Sequence, residues 1–215
     1  MLATLAFFTW LMARISVAYM PYNTDVGFLR IKQQYIGIDA WRLAFFIHVY
    51  ASIWVLLAGF TQFSKYIQRH HPRLHRVFGY IYVTNILLIT GPAGLVMGFY
   101  ANGGTFSRIA FVLLAALWIL FTALALIKAR QGHFKAHRQY MIRSYALTLS
   151  AITLRAWKYL ITNAYHLDDA LVVPPMDVYR IVAWLGWGGN LLFAEWWIRR
   201  RKKIYRHPER SVPVQ

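Results

Sequence analysis

The chain has no cysteine and few acids: 7 Asp and Glu residues stand against 24 Lys and Arg residues. Without cysteine there is no disulfide, thiolate catalysis, cysteine-ligated metal or covalently attached c-type haem. Charged residues make up only 14% of the 215 residues, whereas a soluble domain has about 25%. No Walker loop, nucleophile triad or pair of carboxylates is present. Histidine and arginine are therefore the residues that can carry chemistry.

Long apolar runs set the fold class. The chain is 59% hydrophobic, and runs of about 20 apolar residues recur, which is the length of a helix that crosses a bilayer. We predict an all-α polytopic membrane protein, a single membrane domain over residues 1–215 with six transmembrane helices. The first run carries Arg14 and lacks a basic start, so it is read as a helix and not as a signal peptide. The six predicted spans are 1–20, 43–63, 77–100, 109–127, 141–161 and 178–198.

The basic residues are unevenly distributed between the connections. Residues 64–76, 128–138 and the basic tail 199–215 hold 15 of the 24 Lys and Arg residues, while the other connections hold five of the seven acids. The positive-inside rule places both basic loops, the tail and both termini in the cytoplasm of a bacterial inner-membrane protein. The charge then serves topology and attraction to anionic lipid headgroups, and nucleic acid is not an expected partner.

A short motif, H-x-x-x-H-R, occurs twice, at residues 71–76 and 133–138. A helix places residues i and i+4 on one face, so each copy can point two imidazoles in one direction. Spans two and four each carry a tryptophan, Trp54 and Trp118, and lead through the motif into spans three and five. This weak repeat predicts a four-helix core over residues 43–161, with spans one and six outside it.

The second histidine of each motif suggests a cofactor site. His75 and His137 begin helices on the cytoplasmic side, and spans three and five are diagonal in an up-down core. Two histidines at one depth can hold a haem iron from both sides, as bundle cores often do. Gly79 leaves space for a macrocycle, and Arg76 and Arg138 can pair with propionates. The sequence thus predicts one haem b near the cytoplasmic face.

Two other interpretations of these histidines stay open. They can be interfacial basic residues that bind lipid phosphate. Alternatively, His71, His75, His133 and His137 can form a metal site, because imidazole suits Zn, Cu, Fe and Ni. No Asp or Glu lies near either motif to orient a histidine, which disfavours a diiron oxygenase.

A second candidate site lies in the outer half of the core. His48 is inside span two, where an ionisable residue is a functional candidate by default. Arg155 follows His137 by 18 residues, or about 27 Å of helix and five turns, so both point the same way. Together His48 and Arg155 can bind an anionic or quinone-like head group. In the competing interpretation Arg155 snorkels outward and His48 bonds a backbone carbonyl. Span four has no histidine, which disfavours a second bis-histidine haem.

Several stretches carry a family resemblance over about residues 43–160. They are His48, Gly59-x-x-Gln62-Phe63, Pro72-Arg73-Leu74-His75-Arg76-x-x-Gly79-x-x-Tyr82, His137-Arg138-x-x-Met141-Ile142-Arg143-Ser144-Tyr145-Ala146-Leu147-Thr148 and Thr153-Leu154-Arg155. With these stretches the chain resembles an uncharacterised bacterial family of predicted multi-pass membrane proteins, a domain of unknown function. The resemblance implies the membrane fold and supplies no activity. The chain is similar to the b561 cytochromes in architecture and His-Arg placement only, which is an analogy.

Two functions from different classes follow. The first is electron transfer through one b-type haem near the cytoplasmic face, with quinone as the exchange partner at the outer site. The second is a non-catalytic membrane subunit or assembly factor of a larger complex, without a cofactor, whose basic face binds lipid or other membrane subunits.

Overall fold

The computed structural model describes residues 2–166 and 175–206, and within these ranges it contains helices and no strand. The all-α prediction is therefore confirmed for this part of the chain, whereas the tail residues 207–215 lie outside it. The elements are α1 (Leu2–Val17), a 3-10 helix (Gly27–Lys32), α2 (Gln33–Ile36), α3 (Asp39–Gln62), α4 (Lys65–His70), α5 (Pro72–Asn85), a π-helical turn (Ile86–Thr90), α6 (Gly91–Phe99), α7 (Gly104–Arg130), α8 (Phe134–Thr148), α9 (Ser150–His166) and α10 (Pro175–Arg206).

Three helical stretches are long and apolar enough to cross a membrane, and they overlap most of the predicted spans two and three and all of span four. They are Asp39–Gly59, Pro72–Phe99 and Gly104–Arg130, and a shorter apolar helix covers Ala6–Val17. Predicted span five falls on α8 and α9, which a break at Leu149 divides into two shorter helices. Predicted span six falls on α10, whose composition includes many charges. The protein is an integral membrane protein.

A π-helical turn joins α5 to α6. Pro92 explains its position, because proline has no N–H and its ring collides with the carbonyl four residues earlier in a regular helix. The chain absorbs the mismatch in one wider turn, in which the Gly91 N–H bonds to the Ile86 carbonyl. The stretch Pro72–Phe99 therefore crosses as one helix with a local bulge near its middle.

The helices pack as a four-helix core with two flanking helices, as the sequence repeat predicted. Helix α3 packs on α5 and α6, α6 packs on α7, and α7 packs on α8. Helix α1 lies against α3, and α10 lies against α7, α8 and α9. We call the end formed by α4 and the turn between α7 and α8 the basic end. The end that holds the 3-10 helix and α2 is called the capped end.

A buried polar cluster joins spans three, four and five in the middle of the core. The Tyr82 hydroxyl lies 2.9 Å from Ser144 Oγ and 2.8 Å from Thr148 Oγ1. Thr122 Oγ1 lies 2.7 Å from Ser144 Oγ, and Trp118 Nε1 donates to Thr148 Oγ1 at 3.0 Å. Lipid offers no hydrogen bonds, so polar groups at this depth must satisfy one another. Because Tyr82 reaches from α5 to α8, its side chain bridges these two helices.

The connection between spans one and two folds over the capped end, and we call this element the cap. Tyr19, Leu29, Trp41, Phe45 and Phe46 form a buried, mainly aromatic cluster. Lys32 is buried in the same region, and its ammonium donates to the Tyr100 carbonyl at the end of α6. The 3-10 helix is thus tied to the end of span three, and the longest predicted loop is an ordered element.

An ion pair fastens α10 to the core. Arg143 on α8 donates from Nε and Nη2 to the two carboxylate oxygens of Glu195 on α10, the second contact at 3.0 Å. The Arg143 guanidinium also lies over the Phe121 and Tyr140 rings. A two-pronged arginine–carboxylate contact fixes orientation as well as distance. The contact therefore fixes how α10 is rotated about its own axis, in the part of α10 toward the basic end.

Candidate functional site

His137 lies in the first turn of α8, at the basic end. Its Nδ1 is 2.8 Å from the carbonyl oxygen of Ala125 on α7. Because a carbonyl can only accept, Nδ1 carries the proton, and Nε2 of the neutral ring keeps a free lone pair. Histidines that ligate metals are commonly held by the same kind of bond to a backbone carbonyl. The fold therefore fixes His137 in a ligand-competent tautomer.

His75 lies in the first turn of α5, where Pro72 occupies the first helical position. Its ring is half-buried, and Nδ1 is buried without a hydrogen-bond partner among the residues that the structure describes. His75 and His137 each lie in the first turn of a helix at the basic end. The structure thus brings these two histidines into one region at the basic end.

Gln62, at the end of α3, lies beside two of the predicted residues of this site, His75 and Gly79. Its Nε2 donates to the His75 carbonyl at 3.1 Å. A Cβ added to Gly79 would lie 3.2 Å from Gln62 Oε1, so Gly79 makes room for this carboxamide. The sequence interpretation missed Gln62, although a buried amide at the end of an apolar span is a detectable signal. That Gly79 leaves space for a haem macrocycle stays a prediction.

The remaining members of the two motifs are exposed. Arg76 and Arg138 face outward at the basic end, next in sequence to the two inner histidines, and His71 and His133 are exposed as well. Among the side chains that the structure describes, in residues 6–59, 61–165 and 176–201, no three of the types His, Asp and Glu come together as a metal site. The four motif histidines therefore do not converge, which removes the basis of the four-histidine metal site.

His48 lies in α3 toward the capped end, against the π-bulged helix. Its Nδ1 is 3.0 Å from the Thr90 carbonyl oxygen, so Nδ1 carries a proton here too. A Cβ on Gly94 would lie 3.3 Å from the His48 Cε1 atom, so the missing side chain lets the ring pack on α6. The ring bonds a backbone carbonyl, as one interpretation expected, and Nε2 nevertheless stays available.

Arg155 lies on α9, beyond the break at Leu149. Its Nη1 donates to the Ala151 carbonyl of the same helix at 2.7 Å. Arg155 is exposed.

Four carboxylates in the described part of the chain pair with other arginines. The pairs are Asp25 with Arg30, Asp39 with Arg42, Asp177 with Arg180 and Glu195 with Arg143. Arg155 has no carboxylate partner within residues 2–166 and 175–206, and the side chains of Asp168 and Asp169 lie outside the described residues. Within this part of the chain, the arrangement at His48 and Arg155 offers a lone pair and a set of N–H donors.

Comparison with known proteins supports the membrane assignment. Residues 45–198 match the family described as "Predicted membrane protein (DUF2306)". No curated protein and no solved structure matches the chain. The matched range includes His48, His75, His137 and Arg155 and covers more than half of the sequence. The chain therefore belongs to this family of predicted membrane proteins.

Proposed function

We propose that the protein is a membrane-bound b-type cytochrome that transfers electrons through one haem held by His75 and His137. The observation that carries the proposal is the pair itself. Two half-buried imidazoles begin the diagonal helices α5 and α8 at the same end of the core, and one of them is fixed with Nε2 free. Haem iron supplies one-electron chemistry, which the chain itself lacks.

The residues around the pair fit this group. The partnerless Nδ1 of His75 shows that the local structure leaves that ring unsatisfied, as expected of a side chain that completes its contacts with a ligand. Arg76 and Arg138 are free on the surface beside it to bind propionates. Gln62 is the side chain that must turn aside for a flat group to lie over Gly79. In this proposal His75 and His137 would hold the haem, and the surrounding chain would restrict the entry of water.

The same proposal places the basic end in the cytoplasm of a bacterial inner membrane. The distribution of Lys and Arg over the connections supports this orientation. On α10, Arg200 lies over the Trp196 ring and Arg201 over the Trp197 ring. Paired aromatic and basic groups suit the headgroup region, where anionic lipids bind, and the tail can also receive another membrane subunit.

The absorption spectrum of the purified protein tests the haem. We expect a sharp Soret band and split reduced bands, typical of six-coordinate low-spin iron. His75→Ala and His137→Ala should each lose haem or become high-spin, because one axial position opens. His133→Ala, four residues before His137 and exposed, is the matched control and should keep the spectrum. A spectrum that survives both His75→Ala and His137→Ala would contradict the assignment of the ligands.

The second candidate is a non-catalytic membrane subunit or assembly factor without a cofactor. The contact of Gln62 with Gly79 and with the His75 carbonyl favours it, because it closes part of the space that a haem would use. One experiment distinguishes the two candidate functions. A colourless wild-type protein, expressed with ample haem, would exclude the cytochrome and leave the subunit.

A further inference from the structure

We infer that a cleft between the cap and the first turns of α3 binds the headgroup of a zwitterionic phospholipid, phosphatidylethanolamine. Arg42 donates to the phosphate, Asp39 accepts from the primary ammonium, and the acyl chains follow an exposed side of α3. The site does not depend on the proposed haem, because the residues that form it lie at the capped end and the haem ligands lie at the basic end.

The cleft has the size of a ligand site. Its volume is about 780 Å³, and ligand pockets commonly measure about 300–1,000 Å³. Residues of the cap form one wall and residues of α3 form the other, and they include Tyr22, Ile36, Asp39, Arg42, Leu43 and Phe46. Asp39 also begins the candidate span Asp39–Gly59. The cleft therefore lies at the depth where this span meets the lipid headgroups.

The two charged side chains of the cleft form an ion pair that leaves much of their hydrogen-bonding capacity unused. Arg42 Nη2 donates to Asp39 Oδ1 at 2.6 Å, and Arg42 Nη1 donates to the Ile36 carbonyl at 3.2 Å. Three of the five guanidinium N–H groups and Asp39 Oδ2 have no partner in the described part of the chain. The Arg42 side chain is 45% exposed and that of Asp39 is 87% exposed. A ligand can therefore reach both charges without breaking the pair.

This pair favours a ligand that carries both charges. An anionic headgroup would be repelled by Asp39, and a cationic ligand would be repelled by Arg42. A headgroup with a phosphate and an ammonium two carbons apart offers each residue its opposite charge. A guanidinium binds phosphate oxygens with charge-assisted hydrogen bonds, and a primary ammonium has N–H groups to donate to Asp39 Oδ2. The basic end, with its excess of Lys and Arg, suits anionic headgroups instead.

The aromatic lining favours ethanolamine over choline. A quaternary ammonium has no hydrogen to donate, and proteins recognise it with a cage of several aromatic rings. Phe46 is only 5% exposed, and its ring meets the Tyr22 ring edge to face at a centroid distance of 5.2 Å. Among the described residues that line the cleft, Tyr22 alone offers an exposed ring. One ring does not form a cage, whereas the carboxylate of Asp39 can hold a primary ammonium.

An exposed apolar stripe on α3 leads from the cleft into the bilayer. Leu43 lines the cleft and is 63% exposed, and Ile47 and Trp54 are exposed further along the helix. Their spacings of four and seven residues place the three side chains on one face. The acyl chains of a lipid whose headgroup occupies the cleft can pack along this stripe. A water-soluble zwitterion would gain nothing from it, so the stripe favours a lipid.

Native mass spectrometry of the purified, delipidated full chain in detergent tests the site. Phosphatidylethanolamine and phosphatidylcholine with identical acyl chains are added in equal amounts. We expect the wild type to prefer phosphatidylethanolamine about tenfold. Asp39→Asn should remove this preference, because the acceptor of the ammonium loses its charge. Arg42→Gln should weaken the binding of both lipids about tenfold, because the contact with the phosphate is lost.

A second ion pair supplies the matched control. Asp177 and Arg180, at the start of α10, also form an exposed pair three residues apart, and they do not line the cleft. Asp177→Asn should therefore keep the wild-type preference. Phosphatidylglycerol, which the basic end can hold, should bind equally well to the wild type and to Arg42→Gln. Because Asp39→Asn and Arg42→Gln act on different parts of the headgroup, either variant tests the site if the other does not fold.

Four results would overturn the inference. They are equal binding of the two zwitterionic lipids by the wild type, a preference for phosphatidylcholine, an unchanged preference in Asp39→Asn, and loss of phosphatidylglycerol binding in Arg42→Gln. Displacement of the bound lipid by an equal concentration of water-soluble glycerophosphoethanolamine would overturn the lipid as the source of the headgroup. A colourless protein that shows the expected preference would support the site and refute only the haem.

Discussion

At the scale of a residue, the buried positive charge of Lys32 in the cap lowers the stability of the folded protein. It is buried, and within the described residues it contacts the Tyr100 carbonyl and the faces of Phe28 and Tyr35 but no carboxylate. Burial, and then repulsion from Arg108, lower the pKa of Lys32 from 10.5 to about 8. The folded state therefore binds this proton more weakly than the unfolded state does. The resulting penalty is full below pH 8 and disappears as the pH rises through 8 toward 10.5.

We predict that Lys32→Met removes this pH dependence. In the wild type, the contribution of Lys32 raises stability between pH 8 and 10.5, because the unfolded state alone still holds the proton. The Tm difference between pH 10 and pH 7 in detergent should then be more positive for the wild type than for Lys32→Met. The exposed Lys65→Met is the control, with a pH response like that of the wild type. Equal differences in the wild type and Lys32→Met would show that Lys32 keeps an ordinary pKa.

The sequence identified His48 because a histidine in an apolar span is conspicuous, and it identified His75 and His137 because each belongs to an H-x-x-x-H-R motif. It did not show which nitrogen of each ring is free. That depends on the carbonyls of Thr90 and Ala125, which belong to other helices and have no signature in the local pattern. Gln62 was missed for a related reason, since its importance comes from its contacts with Gly79 and His75.

At the scale of the helix, Gly59 controls how closely α3 approaches α8. A Cβ at this position would lie 2.0 Å from the Tyr145 Cε2 atom, far inside contact distance. Tyr145 is itself buried and belongs to the main core cluster, so it has little freedom to move. The two helices therefore pack through a glycine against a tyrosine ring.

We predict that Gly59→Ala destabilises the protein by about 1–3 kcal/mol through overpacking. In the Tyr145→Ala background the same change should cost nothing or stabilise, because alanine is the better helix former. Unfolding of the four proteins of this double-mutant cycle measures the coupling. Gly188→Ala is the matched control, since no atom lies within 4 Å of its added Cβ on α10. Additive effects of the two substitutions would mean that the helices do not meet here.

Apolar periodicity located the spans but not their irregularities. The break at Leu149 splits the predicted fifth span, and the calculation of a continuous face from His137 to Arg155 assumed that no break occurs. Met141, Ser144 and Thr148 are buried as that face predicts, whereas Arg155, on α9 beyond the break, is exposed. The π-helical turn has a visible cause in Pro92, but its position among Ile86–Thr90 depends on packing with α3 and α7.

At the scale of the whole molecule, orientation in the membrane decides where each proposed site operates. The basic end holds α4 and the turn between α7 and α8, and the cap closes the other end. His75 and His137 lie at the first end and His48 lies toward the second, so the proposed haem site and His48 face opposite sides. Electron exchange with soluble partners would then occur at the basic end.

We predict that reporter fusions after Gly132 and after Gly103 give opposite signals. A phosphatase should be inactive at Gly132 and active at Gly103, with the reverse for a fluorescent protein, because the Lys and Arg excess retains the first connection in the cytoplasm. Gly103 ends a short connection between α6 and α7, and Gly132 follows α7 directly, so one helix separates the two fusion points. Equal signals would mean that α7 does not cross, although Gly104–Arg130 is a candidate span. A reversed pair of signals would move the proposed haem ligands to the periplasmic face, and electron exchange with them.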